Sequence, residues 1–236
     1  MPRPYRSPRL AKLLTKVREK ELAVGSMPPD MNLLKTRHEY SLHKKRKAKD
    51  AINIDRALDF LAAKNAELVQ VWKQDCWSFL TGKDADGRPL IWTKDEGDEM
   101  NPFKPFPAYP YLRVVLEKGL FGEHKVVLLD KCRQMMMSTL SCLALYWLCL
   151  FHEGRKGFIS KTKEEQGSML INDKIRGVHT RTPMWLQRDF PISRTPQNKI
   201  VFPGTESEVY AVTENAAVGE FRGNTVSVAV IDEAAF

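Results

Sequence analysis

Two stretches of this sequence hold residue types that could handle phosphate. The first is Lys131-Cys132-Arg133-Gln134-Met135-Met136-Met137-Ser138-Thr139, two cations ahead of a pair of hydroxyls. It lies between a short apolar run and a long apolar segment, so it reads as the turn from a strand into a helix. Backbone N–H groups converge on an anion at such a turn. Aligned on Ser138, the usual pattern G-x-x-x-x-G-K-[ST] sets its glycines on Lys131 and Met136 and its lysine on Met137. Three of its four fixed positions are therefore changed. What remains is the Ser138 hydroxyl, able to ligate Mg²⁺, and the charges of Lys131 and Arg133. A side chain at Met136 would crowd a phosphate, or strain the loop if that position needs φ > 0. The plain alternative is an ordinary turn with a methionine-rich core contact.

The second stretch is Asp232-Glu233, at the end of residues 226–231, an apolar run broken only by Ser227. One carboxylate at the carboxyl end of a buried strand sits where a metal-bound phosphate would lie. The next can orient or deprotonate a water. Buried carboxylates are costly unless paired, although solvated acids at strand ends are a common alternative. A phosphate loop followed about a hundred residues later by an acidic strand argues for a nucleotide phosphohydrolase.

The elements that must position these residues follow from apolar spacing. Residues 125–130 hold Val126-Val127-Leu128-Leu129 and predict a buried strand. Residues 138–151 predict a helix that is apolar around most of its face and so internal. A strand is expected over 157–160, then a helix over 163–178 with Met169, Leu170 and Ile175 inward. Residues 199–202 and 208–212 predict a hairpin through Pro203-Gly204, and 225–231 a last strand. This alternation favours an α/β fold, a P-loop NTPase-like parallel sheet flanked by helices. Upstream, Ile54, Leu58, Leu61, Leu68, Val71 and Trp72 predict one or two helices that stop at Thr81-Gly82, before a turn at Asp86-Gly87. Residues 95–110, acidic and with four prolines between 102 and 110, read as a linker.

Charge is unevenly placed. Of the net +8, residues 1–49 hold 14 Lys/Arg against 4 Asp/Glu, whereas the remainder is slightly acidic at −2. A basic helical arm of this kind meets nucleic-acid phosphates or an acidic partner, or is simply a solvated tail. Hydrophobic residues at 43% and charged residues at 28% exclude a composition-driven disordered chain. The longest apolar run, 140–151, falls short of the roughly 20 residues of a membrane span. Four cysteines without a C-x-x-C pair give no zinc or disulfide framework and fit a reducing compartment. No apolar segment follows the first residues, so no secretory signal is expected.

Taken in order, four elements resemble the large terminase subunit of tailed bacteriophages, the ATPase motor that packages DNA. The loop from Lys131 to Thr139 is similar to that family's deviant Walker A, in which an Arg-Gln pair is common and the cation can stand at the start. Phe158-Ile159-Ser160-Lys161-Thr162 is similar to the strand and turn after the first crossover. Phe221-Arg222-Gly223-Asn224-Thr225 is similar to the Arg-Gly element before Walker B, and Val230-Ile231-Asp232-Glu233-Ala234-Ala235-Phe236 to Walker B with its glutamate. The resemblance covers roughly residues 105–236.

The resemblance implies ATP and Mg²⁺ as cofactors. Lys131 and Arg133 would contact the β- and γ-phosphates, with Cys132, Gln134, Met135, Met136, Met137 and Thr139 completing the nucleotide loop. Ser138 and Asp232 would hold the magnesium. Glu233 would activate water, with Arg133 as its catalytic companion. Arg222 would sense phosphate or touch a neighbouring subunit, and Tyr109, Tyr111 and Arg113 occupy the family's adenine-binding segment. It also implies three regions: 1–54 a basic arm, 55–104 a helical region and linker, and 105–236 a partial ATPase domain. The sequence given ends after Walker B without the family's nuclease domain, and weak or no turnover is expected from it alone. The implied partners are double-stranded DNA, the portal protein and the small terminase subunit. They would meet an oligomeric ring docked at the procapsid in the host cytoplasm, with no membrane. Two alternatives stay open. Asp232-Glu233-Ala234-Ala235 is similar to the DEAD boxes of helicase-like translocases, whose P-loop glycine and lysine this chain lacks. The other is a non-catalytic, degenerate P-loop binding module.

Overall fold

Apolar spacing does set the early helices, with Leu58, Leu61 and Trp72 buried as expected and Ile54 and Leu68 only partly covered. The computed structural model describes residues 52–95, 97–130, 135–193, 197–213 and 226–232. By its internal contacts the chain divides into two units, Met1–Asn65 with Pro183–Trp185, and Ala66–Thr182 with Leu186–Phe236. In the first unit, helix α1 (52–64) buries Ala57, Leu58 and Leu61.

The second unit opens with α2 (Ala66–Gln74) and α3 (Cys76–Thr81). Val69 and Trp72 are buried, whereas Val71, expected inward, is exposed. Asp75 caps α3 by accepting from the Trp77 and Ser78 N–H groups at 3.1 and 3.0 Å. The predicted linker holds half of a β-ribbon. β1 (Trp92–Lys94) pairs antiparallel with β2 (Phe103–Pro105), Trp92 opposite Pro105 and Lys94 opposite Phe103. The acidic residues that suggested a linker grip this ribbon, since Lys104 Nζ reaches Asp95 at 2.7 Å and Asp98 at 3.1 Å. α4 (Pro110–Val114) follows and runs into a π-helical turn, Val115–Leu120.

Residues 125–130 correct an expectation. They form no strand, and Val126 and Leu128 are 86% and 75% exposed. An apolar run becomes a buried strand only where a neighbouring backbone takes its hydrogen bonds, and none does so among the described residues.

The long apolar segment is α5 (Met137–Phe151), in which every residue but Ser138 and Leu148 is buried. Its apolar circumference requires cover on all sides. Phe79 of α3 packs edge-on against Phe151, ring centroids 5.1 Å apart, and Trp147 Nε1 donates to the Trp72 carbonyl at 2.6 Å. The sheet lies across it. On β3 (Lys156–Lys161), a Cβ placed at Gly157 would come within 2.9 Å of Leu145 Cδ2, so glycine sets how closely α5 approaches. Tyr146 of α5 shares a buried hydrogen bond with His179 Nδ1 at 2.9 Å, and burial pushes the His179 imidazole down to about 4.

α6 (Glu164–Ile171) continues as a π-helical turn, Asn172–Arg176, and then α7 (Gly177–His179). Met169 is exposed and Leu170 only partly covered, against expectation, while Ile175 is buried as expected. The inward face is set instead by Gly167, Ser168 and Ile171, because the absent side chain of Gly167 lets the helix sit 3.1 Å from Ala211 Cβ, measured from an added Cβ. α8 (Met184–Asp189) precedes the hairpin of β4 (Lys199–Phe202) and β5 (Ser207–Thr213), and β6 (Val228–Ile231) follows. The sheet order is β4-β5-β3-β6. β3 runs parallel to both β5 and β6, and β4 is antiparallel to β5. The fold is mixed α/β with a mixed sheet flanked by helices. β6 is less buried than its composition suggested, with Ala229 and Ile231 exposed.

Candidate nucleotide site

Three strands end together at one edge of the sheet. Register places Lys161 of β3 beside Thr213 of β5, and Ser160 beside Ile231 of β6. The Asp232 N–H then donates to the Ser160 carbonyl at 3.1 Å, which carries the ladder one step past β6. Lys161 and Asp232 consequently stand side by side at the carboxyl ends of parallel strands, the place where ligands of open α/β sheets bind. Lys161 Nζ lies 2.9 Å from Asp232 Oδ2, and the two side chains are 12% and 7% exposed. Breaking a buried pair of this kind costs about 3–5 kcal/mol, because the remaining charge is left uncompensated.

The N-terminal half of α5 belongs to the same neighbourhood. Burial raises the Cys142 thiol far above its usual value, and the negative charge of Asp232 adds to this, against Lys174 and Lys161. The helix starts from Met136, whose backbone is left-handed (φ 55°, ψ 17°) and whose own side chain makes no capping hydrogen bond. That is the position aligned with the second glycine of a phosphate loop, and it has the φ > 0 conformation that glycine normally supplies. The first N–H groups of a helix lack intrahelical acceptors and favour an anion.

Of the residues singled out from sequence, Met135 and Ser138 are half-buried, and Met137, Thr139 and Asp232 are buried. Lys131, Cys132, Arg133, Gln134, Arg222 and Glu233 lie outside the described residues, as does the basic arm. Tyr109 and Tyr111 stack on one another at 5.7 Å and 10°, and Arg113 pairs with Glu117 at 2.7 Å. Among the described residues no three His, Cys, Asp or Glu side chains gather closely enough to hold a metal on their own.

Sequence reasoning missed two features. One is the pairing of Lys161, which the sequence offered only as part of a strand and turn; its partner is 71 residues away and is brought to it only by strand register. The other is a cavity of about 180 Å³ lined by Trp92, Phe103, Thr139, Lys174 and Arg181, with the Arg181 guanidinium 3.7 Å from the Phe103 ring centroid. Of its aromatic walls, Phe103 comes from the stretch that read as a linker. Compared with models of protein families and with curated proteins, the chain matches none.

Proposed function

We propose that residues 105–236 bind ATP as the ATPase portion of a DNA-packaging motor of the terminase large-subunit type. The observation that carries this reading is the buried Asp232 carboxylate at the carboxyl end of a parallel strand, near the N-terminal half of α5. Hard oxygen donors of this kind suit Mg²⁺, which is held by one or two protein oxygens and takes the rest from phosphate and water. Asp232 and Ser138 are the residues to hold it. The bound ion would neutralise charge on the transferred phosphoryl group.

Around it, the protein's own groups do the positioning. The first N–H groups of α5 face the phosphates, and Lys131 and Arg133 supply the positive charge that Met137 cannot. Glu233 orients and deprotonates the attacking water. The basic arm contacts double-stranded DNA, and the portal protein and small terminase subunit are the proposed partners of an assembled ring at the procapsid. Among the described residues no helix is long and apolar enough to cross a membrane.

A second reading, a binding module without turnover, is favoured by the methionine at the left-handed loop position. ATP turnover measured in the full-length protein separates the two. Glu233→Gln keeps size and hydrogen bonding but removes the base, so it should abolish hydrolysis and leave ATP binding intact. Unchanged hydrolysis in Glu233→Gln would defeat the catalytic assignment.

A further inference from the structure

A carboxylate as covered as Asp232 is costly to bury without a cation against it. The usual lysine position of the loop before α5 is the buried apolar Met137, and among the described residues a cation comes from elsewhere. It is Lys161, from the end of the adjacent parallel strand, 2.9 Å from Oδ2. A magnesium ion would sit about 2.0–2.1 Å from a ligating oxygen. It cannot take Oδ2 while an ammonium occupies the same approach, because the two cations would face each other in a poorly solvated site. The ammonium must move first, and arriving phosphate oxygens would give it an anion to move to. Lys161 stands between Thr213 and Asp232 at the strand ends, where phosphate oxygens would arrive.

We infer that Lys161 is the resident counter-ion of this site: it holds Asp232 in place, keeps bare divalent cations off it, and releases it only to a cation that arrives with phosphate. The release to a metal–phosphate complex rests on the nucleotide reading above, whereas the exclusion of a bare cation does not. Lys161 is a positioning residue, since it acts through Asp232. The single row of side chains at the strand ends also places the ammonium to pass from carboxylate to phosphate without any backbone movement.

The test is a titration of the full chain with Mn²⁺ alone, followed by electron paramagnetic resonance, with no nucleotide present. Lys161→Met should bind one Mn²⁺ about tenfold or more tightly than the unmodified protein, the loss of one competing charge-assisted contact. Lys161→Arg, which keeps the charge, should behave as the unmodified protein, so that the gain in Lys161→Met follows the loss of charge. Adding Asp232→Asn should abolish the gain. Lys161→Gln can still donate to Asp232, and it carries the same expectation if the methionine variant does not fold. Equal Mn²⁺ affinity in the unmodified protein and Lys161→Gln, or a gain that survives Asp232→Asn, would overturn the inference. A parallel titration with Mg²⁺ and ATP keeps the two ideas apart. A gain in Mn²⁺ binding without any ATP binding supports the counter-ion and defeats the nucleotide reading. Normal ATP binding without the Mn²⁺ gain defeats the counter-ion alone.

Discussion

Met136 offers a perturbation whose size can be worked from the backbone. Its φ of 55° is left-handed, which costs an L-residue about 1–2 kcal/mol because Cβ crowds the following carbonyl. Glycine avoids that cost but brings roughly 0.5–1 kcal/mol of extra freedom in the unfolded chain. Met136→Gly should therefore stabilise the protein by about 0.5–1 kcal/mol, roughly 1–4 °C in midpoint for a chain of this size. Met136→Ala keeps the Cβ and the strain, so it should gain nothing. Glu206, in the turn between β4 and β5, has a φ of 52° and is the internal control. Glu206→Gly should give a comparable gain. The two glycine variants should then part company in ATP titrations, since Met136→Gly clears the loop for phosphate and tightens binding while Glu206→Gly leaves it unchanged. Urea and thermal unfolding measure the stabilities. A Met136→Gly protein no more stable than Met136→Ala would refute the strain argument.

Three further outcomes are expected. Gly157→Ala drives a methyl toward Leu145 Cδ2 at 2.9 Å in the interface of α5 with the sheet, and should cost about 1–3 kcal/mol in denaturant unfolding. His179 is held neutral by burial with a folded pKa near 4, against an ordinary value of about 6.5 in the unfolded chain. The unfolded state therefore takes up the proton first, and stability should fall by up to roughly 3 kcal/mol as pH drops from 6.5 to 4. His179→Gln should flatten that slope in acid titrations followed by circular dichroism. Deleting residues 1–49, with their excess of ten positive charges, should reduce the salt dependence of DNA binding by about 0.9 log unit per lost phosphate contact for each tenfold change in salt. An unaltered slope would assign the arm to a solvated tail.

The parts of the fold that were legible in the sequence are those in which local pattern and burial agree. The internal helix α5 followed from an apolar circumference, and the β4–β5 hairpin from two apolar runs joined through Pro203-Gly204. The strain at Met136 was foreseeable, because the loop pattern wants glycine there. Residues 126–129 misled because composition records burial only where a neighbouring strand provides it. Residues 95–110 misled because Asp95, Asp98 and the prolines look like linker composition, whereas the two acids anchor Lys104 of a ribbon. The candidate site shows the same division. Asp232 announced itself as an acid after an apolar strand, but Lys161 was legible only as part of a strand and turn, with no partner assigned to it. Only the parallel register of β3 and β6 reveals its partner.

The central claim is tested most directly by calorimetric titration of ATP into the chain, with Mg²⁺ and with EDTA, for the unmodified protein, Arg133→Ala and Asp232→Asn. Saturable binding that requires Mg²⁺ is predicted in the unmodified protein. Arg133→Ala should weaken it by about tenfold or more, the value of one charge-assisted phosphate contact, and Asp232→Asn should remove its dependence on Mg²⁺. No binding in the presence of Mg²⁺, or an affinity that neither substitution changes, would contradict a nucleotide site at the ends of these strands.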